Sequence, residues 1–353
     1  MQQLLFSDAV ELLKKMITIP SFSRDEAAVA DMMQHHIEEA GYEVSRKGNN
    51  IWLTSPGFDV SRPTVLLNSH IDTVKPASTW QRNPFTPTVE NGKLYGLGSN
   101  DAGASVVSLL QTFVYLTKTN QSYNLIFAAT AEEEISGSNG IESLLKELPK
   151  IDFAIIGEPT KMNLAVAEKG LMVLDCTATG ISGHAARNEG ENAIYKTLED
   201  LNWFRTFQFP KQSQLLGDVK MSVTQINAGT QHNVVPDKCT FVVDIRTNEM
   251  YTNQEILDII NQNTHVNVHA RSTRLSSTAT PLDHPMVTRG KQLQRTIFGS
   301  PTLSDQALLI CPSIKIGPGE SSRSHTADEY ILLSEIEDAI EIYIKLLDGL
   351  NFY

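Results

Sequence analysis

Three short apolar runs, each ending in potential metal ligands, constrain this chain more than any other feature. VLLNSHIDTV (65–74) closes on His70 and Asp72. LIFAATAEEE (125–134) closes on Glu132, Glu133 and Glu134, and DFAIIGEPT (152–160) on Glu158. Each run has strand length and is bounded by polar or turn residues. In open α/β sheets, sites form outside the carboxyl ends of the strands, so three such ends should converge on one place. Two further candidates stand apart: Asp101 in GLGSNDAG, at a loop-to-helix junction, and His325 in RSHTADEY.

Taken singly, each of these residues has an ordinary reading. A strand-end carboxylate caps a helix or faces water, and a run of glutamates favours a helix first turn. Taken together they pose an electrostatic problem. Asp72, Asp101, Glu133, Glu134 and Glu158 would gather with few Lys or Arg nearby, and repulsion would raise their proton affinity. Divalent cations remove that problem. Mixed imidazole and carboxylate donors favour zinc, cobalt or manganese over calcium or magnesium, and two ions sharing one carboxylate would use all the donors. His70 and Asp72 are two apart, so on an extended segment they point the same way and the carboxylate can orient the imidazole.

The surrounding pattern predicts an α/β protein with a mostly parallel central sheet. Helical periodicity covers 7–17, 24–40, 102–116 and 140–145. Strands are expected over 64–67, 124–129 and 152–156. The middle of the chain reads strand 171–179, helix 191–207, strands 220–227 and 240–246, helix 253–261 and strand 265–273. That β-α-β-β-α-β order is the split arrangement of a ferredoxin-like domain. The expected organisation is a first domain part over 1–168, an inserted domain over 169–274, and a return over 275–353. The return contains a helix over 285–298, a short strand over 313–316 and a closing amphipathic helix over 333–350.

Composition narrows the partners. A formal net charge of −12 over 353 residues, with no Lys/Arg block, argues against nucleic acid and anionic membranes. Three widely spaced cysteines, Cys176, Cys239 and Cys311, fit a reducing compartment. No apolar run is long enough for a membrane span, and the amphipathic start does not read as a signal peptide. The expectation is a cytoplasmic protein. Gly96-x-Gly98-x-x-Asp101 lacks the third glycine of a dinucleotide loop, and Ser182-Gly183-His184 offers no acid partner for a nucleophilic serine.

In order along the chain, Ser69-His70-Ile71-Asp72, Gly96–Asp101, Thr130–Glu134, Gly157-Glu158-Pro159-Thr160, Gly183-His184-Ala185, Asn233-Val234-Val235-Pro236 and His325–Tyr330 form a recognisable series. It resembles the co-catalytic zinc acylases and carboxypeptidases that include acetylornithine deacetylase and succinyl-diaminopimelate desuccinylase. Its GEPT and HTADEY segments look most like the acetylornithine deacetylase branch. Ser69 stands where the family usually has Gly, and Ala102-Gly103-Ala104 where it usually has Met-Lys-Gly; neither removes a ligand.

The resemblance implies a metallopeptidase-like catalytic domain holding two Zn²⁺, with Co²⁺ able to substitute. His70 and Glu158 would bind one ion, Glu134 and His325 the other, and Asp101 would bridge. Asp72 would orient His70, and Glu133 would be the general base. The inserted domain would be a lid and dimerisation domain. Its His184 would reach the reacting carbonyl oxygen, and Asn233, Arg246, Gly317 and Gly319 would meet the substrate carboxylate. The implied reaction is hydrolysis of an N-acyl amino acid, N2-acetylornithine by preference, in a homodimer. Citrulline, succinyl and diaminopimelate substrates, or a dipeptide, are the alternatives, with Arg323 a candidate for an acidic acyl group; the alternative of a different class is a non-catalytic binding protein on the same scaffold.

Overall fold

The computed structural model describes residues 2–352. By packing, the chain divides into two compact units. One runs up to Val166 and resumes over Thr280–Phe298 and from Ser304 onward; the other comprises Ala167–Ala279 and Gly299–Leu303.

The first unit is built around four parallel strands in the order Asn124–Thr130, Thr64–His70, Phe153–Ile156 and Ser313–Lys315. Asn50–Thr54 runs antiparallel beside the first of them, with Ser45–Lys47 beyond it. Every residue of Thr64–His70 and of Asn124–Thr130 is buried. That follows from their sequence: unbroken runs such as Val65-Leu66-Leu67 and Leu125-Ile126-Phe127 can bury both faces of a strand, as central parallel strands must. Leu66, Ile126, Ala128, Ala154 and Ile156 pack with Ile141 and Leu144 of a short helix in one core cluster. Fully burying the Leu and Ile side chains among them contributes about 1.5–3 kcal/mol each. The amphipathic helix Gln2–Ile17 sets Leu5, Ala9, Leu12 and Leu13 inside.

The second unit is a four-stranded antiparallel sheet in the order Lys220–Ala228, Lys238–Thr247, Gly170–Thr179, Asn267–Ala270. Helices Ala193–Thr206 and Asn253–Asn263 complete the β-α-β-β-α-β chain order. Gly170–Thr179 alternates buried with partly exposed positions, which is the period-2 signature of a sheet with one face on the core. Thr252 and Glu255 form a reciprocal capping box that starts the second helix.

Two sequence expectations need correction. The helix expected over 285–298 stops at Gln292; Gln294 then takes a left-handed φ of 59°, and Ile297–Ser300 is a strand. The β-branched and aromatic run Thr296-Ile297-Phe298 is the signal that outweighs helical periodicity there. The helix expected over 140–145 is a single turn, Ile141–Leu144. No helix among the described residues is long and apolar enough to cross a membrane.

Candidate metal centre

Parallel pairing in register decides which strand ends meet. His70 lies beside Thr130, and Asn68 beside Ile156, so the segments leaving all three strands emerge at one edge of the sheet. There two sets of donors form, His70, Asp101 and Glu158 in one and Asp101, Glu134 and His325 in the other. Within each set the ligand atoms all lie within 4.8 Å of one another. His70 Nε2 stands 3.3 Å from Asp101 Oδ1, 3.7 Å from Glu158 Oε1 and 4.0 Å from Glu133 Oε2. His325 Nε2 stands 2.9 Å from Glu134 Oε2 and 3.7 Å from Asp101 Oδ2. Asp101 therefore turns one oxygen to each imidazole.

The three consecutive glutamates have three separate environments. Glu132 turns away from the cluster: its carboxylate accepts bonds from the Asn139 side chain (2.9 Å) and backbone (3.3 Å), and it takes a left-handed φ of 56°. Glu133 faces His70, and Glu134 faces His325. Four successive backbone N–H groups fix this turn. Ala131 donates to Asn50 Oδ1 (2.9 Å) and Glu132 to Glu26 Oε1 (3.2 Å). Glu133 and Glu134 donate to the two oxygens of Asp72, at 3.0 and 3.1 Å. Asp72 also accepts from Ser23 Oγ at 2.7 Å. Its relation to His70 differs from the simple i, i+2 expectation. His70 Nδ1 is 2.9 Å from the Asp72 backbone carbonyl and 3.4 Å from the Asp72 carboxylate. Either partner leaves Nε2 as the nitrogen directed at the cluster.

The charges follow from burial and crowding. Burial, and with it the carboxylates of Glu158, Asp305 and Glu134, holds Glu133 well above the usual range, against the pull of His70. Burial and Asp101 push Glu158 up to about 8, although His70 and Lys315 oppose them. Burial alone would lower His70, but Asp101 and Asp72 outweigh it and hold the imidazole well above its ordinary value. The hydrogen bond to Glu134 raises His325 to about 9. Against burial, which raises both, bonds to His70 hold Asp101 and Asp72 below the usual range. A cluster in which both imidazoles and the Glu133 and Glu158 carboxylates hold their protons beside ionised aspartates is one that cations would relieve. The donor set therefore fits two divalent ions.

Three buried residues of this centre have roles that the sequence did not reveal, although Glu329 lies within the HTADEY segment. Asp305, 5% exposed, accepts bonds from Asn68 Nδ2 (2.9 Å) and Thr130 Oγ1 (3.0 Å) on two of the central strands. Glu329 accepts three backbone N–H groups of the Gly98–Asp101 turn. Glu26, fully buried, holds the Glu132 N–H and Asn49 Nδ2.

The remaining expected residues divide by unit. Gly317 and Gly319 lie beside the centre, and close packing explains both. A Cβ on Gly317 would sit 2.6 Å from the Glu158 carbonyl oxygen, and one on Gly319 2.2 Å from Asn100 Oδ1. The Gly317 N–H donates to Thr160 Oγ1, and its carbonyl accepts from Met162, so its polar groups bind the GEPT loop. Arg323 pairs both ends of its guanidinium with Glu335 (2.6 and 3.1 Å) and lies over the Tyr330 ring, which commits it to the scaffold. His184, Asn233 and Arg246 belong to the second unit. There Gly183–His184 pairs with Val234–Val235, and Ala185 N–H donates to the Asn233 carbonyl, so His184 and Asn233 are neighbours. His184 Nδ1 accepts from Ala186 N–H at 3.1 Å, which places the proton of the neutral ring on Nε2. Arg246 makes a two-point contact with Asp244 (2.9 and 3.2 Å).

Comparison with known proteins agrees with this architecture. The chain is 27% identical over 375 aligned residues to acetylornithine deacetylase of Proteus mirabilis (strain HI4320), covering 96% of both. It is 28% identical over 360 to a putative succinyl-diaminopimelate desuccinylase of Mycobacterium tuberculosis (strain CDC 1551 / Oshkosh), covering 97% of this chain and 98% of that one. The crystal structure of aminopeptidase PepT from Bacillus cereus ATCC 10987 shares the fold with a TM-score of 0.78 at 18% identity, over 97% of this chain and 98% of that one. The model of peptidase family M20/M25/M40 matches residues 66–349, and with that match the chain belongs to this family of metallohydrolases.

Proposed function

We propose that the protein hydrolyses the amide bond of an N-acyl α-amino acid, with N2-acetylornithine, split to ornithine and acetate, as the preferred substrate. One observation carries the reading: Asp101 is shared by two ligand triads, and the Glu133 carboxylate stands beside them without belonging to either. His70, Glu158 and Asp101 would hold one ion, and Glu134, His325 and Asp101 the other. Bound there, two divalent ions, zinc by the donor types and cobalt in substitution, supply Lewis acidity and neutralise the crowded carboxylates.

The chain's own groups do the rest. Glu133 takes a proton from the attacking water and delivers it to the departing amine as the C–N bond breaks. Its burial raises its proton affinity, which suits a group that must both accept and return a proton near neutral pH. Asp72 keeps Glu133 and Glu134 in place through their backbone N–H groups. His184, with its Nε2 proton, serves as donor to the carbonyl oxygen, a contact of the kind that contributes about 3 kcal/mol in a transition state. We assign Asn233 and the end of Arg246 turned away from Asp244 to the substrate carboxylate. We also assign the second unit to a homodimer contact through which His184 serves the neighbouring subunit.

Acetyl is preferred over succinyl because the cation nearest His325 in sequence, Arg323, is taken up by Glu335 and Tyr330. The test is a kcat/KM panel of N-acetylornithine, N-acetylcitrulline, N-succinylornithine, N-succinylcitrulline and succinyl-diaminopimelate. The highest value is expected for N-acetylornithine. A succinyl substrate at the top would overturn the acyl assignment, and no turnover of any of the five with metal added would overturn the reaction class.

A further inference from the structure

The segment HTADEY supplied His325 to the centre, but its glutamate has no part in the chemistry above. Glu329 is 2% exposed, and its carboxylate is aimed into the turn that carries Asp101. Oε2 accepts the Gly98 N–H at 3.0 Å, while Oε1 accepts those of Asn100 (2.8 Å) and Asp101 (2.9 Å). The Glu329 carbonyl also accepts the Gly96 N–H at 3.0 Å, so this one residue is bonded four times to the segment 96–101.

We infer that Glu329 is a positioning residue for the shared ligand: it shapes the Gly98–Asp101 turn so that Asp101 presents one oxygen to each ion. This inference rests on the two-ion reading given above.

A carboxylate suits the task because it has two acceptor oxygens and no donor, so it can take N–H groups from two directions. No neutral side chain offers that at this reach. Glutamine would turn its amide NH₂ toward either Gly98 or the Asn100–Asp101 pair, two donors face to face. The choice also has a cost, because it sets a buried negative charge against the backbone of another carboxylate. Four other observations follow the same pattern. The turn bearing Glu133 and Glu134 is held by Asp72, Glu26 and Asn50, again through backbone N–H groups and not through the ligands themselves. The ligand carboxylates are thus left free to face cations while buried Asp, Glu and Asn side chains fix the backbone beneath them. Asp101 is the place where this matters most. A rotation of its turn would misplace a donor in both triads at once, whereas a shift of Glu158 or Glu134 would disturb only one.

The test compares wild type, Glu329→Gln and Glu329→Ala as full-length chains. Zn²⁺ and Co²⁺ binding are measured by equilibrium dialysis with elemental analysis, alongside the thermal unfolding of each metal-free protein. Removing a partner behind a metal ligand typically weakens binding 10- to 100-fold. The expected result is that Glu329→Gln still unfolds cooperatively without metal, at a temperature lowered by the buried donor that the amide leaves unpaired. It should nevertheless bind both ions at least 10-fold more weakly, with an altered visible spectrum of the Co²⁺ form. Glu329→Ala should lose more. A purely structural role would lower the metal-free unfolding temperature and leave the affinities and the Co²⁺ spectrum as in wild type; that result overturns the inference. Should Glu329→Ala not fold, Glu329→Gln alone decides between these outcomes. Wild type that binds no divalent ion would instead refute the two-ion reading on which the inference rests.

Discussion

At the scale of single residues, the centre separates groups placed to hold cations from groups that hold those ligands in place. Glu133 and Glu134 are adjacent in sequence, yet one lies beside His70 and the other beside His325. Glu133→Gln keeps the shape and removes the proposed base. Glu133→Gln should therefore bind metal as wild type does and lose about 10²–10⁴ in kcat, the range a positioned acid–base group supplies. Steady-state kinetics on metal-loaded protein, with metal content measured on the same samples, checks this. Loss of metal with activity retained would mean that Glu133 is the ligand and that the assignment is displaced by one. Arg323 carries the opposite lesson. By sequence it is a cation two residues from His325 and a candidate for an acidic acyl group; the structure pairs it with Glu335 and sets it over the Tyr330 ring, which is why the proposed substrate carries acetyl.

At the scale of elements, the legible part was the strands, and the reason is physical. A parallel strand buried on both faces must be an unbroken apolar run, and its exit toward the ligand edge is the first place a polar residue can stand. His70, Glu158 and the glutamate triplet stand at that position, so their convergence could be read from pattern alone. The contacts of Glu329, Asp305 and Glu26 could not, even though HTADEY drew notice as a segment. Each residue lies in a stretch that reads as polar loop or helix start, and each acts through contacts with segments more than 100 residues away. Periodicity has no term for such contacts. Gly317 and Gly319 were legible only through the resemblance, as contacts to a substrate carboxylate, and the packing of Gly317 against the Glu158 backbone was not legible at all. An added Cβ at Gly317 would meet the Glu158 carbonyl at 2.6 Å and Ser105 Oγ at 2.4 Å. Gly317→Ala should therefore displace the Glu158 strand end and weaken one ion selectively. Stepwise metal titration should find one affinity reduced and the other near wild type; equal affinities in mutant and wild type would refute this account of the loop.

At the scale of the whole molecule, the metal-free centre should tie stability to pH. Glu158 lies at about 8 in the fold against an ordinary 4.5, so its proton is held more tightly folded than unfolded, and stability falls as pH rises through that interval. His325, raised to about 9 from 6.5, contributes stability below its ordinary value that is lost as pH rises through 9. The two effects have the same sign. The metal-free unfolding temperature should thus decline from roughly pH 6 to 8.5, and the increment on adding metal should widen over the same window, since ions replace the lost protons. Scanning calorimetry at several pH values reads both, and an increment that narrows with pH would contradict the charge account. The most direct test of the central claim is the number of ions per chain. Elemental analysis after equilibrium dialysis should find two in the wild type. In Asp101→Ala both should be lost together, because both triads use that carboxylate. A wild type that saturates at one ion, or an Asp101→Ala variant that retains two, would contradict the shared-carboxylate centre.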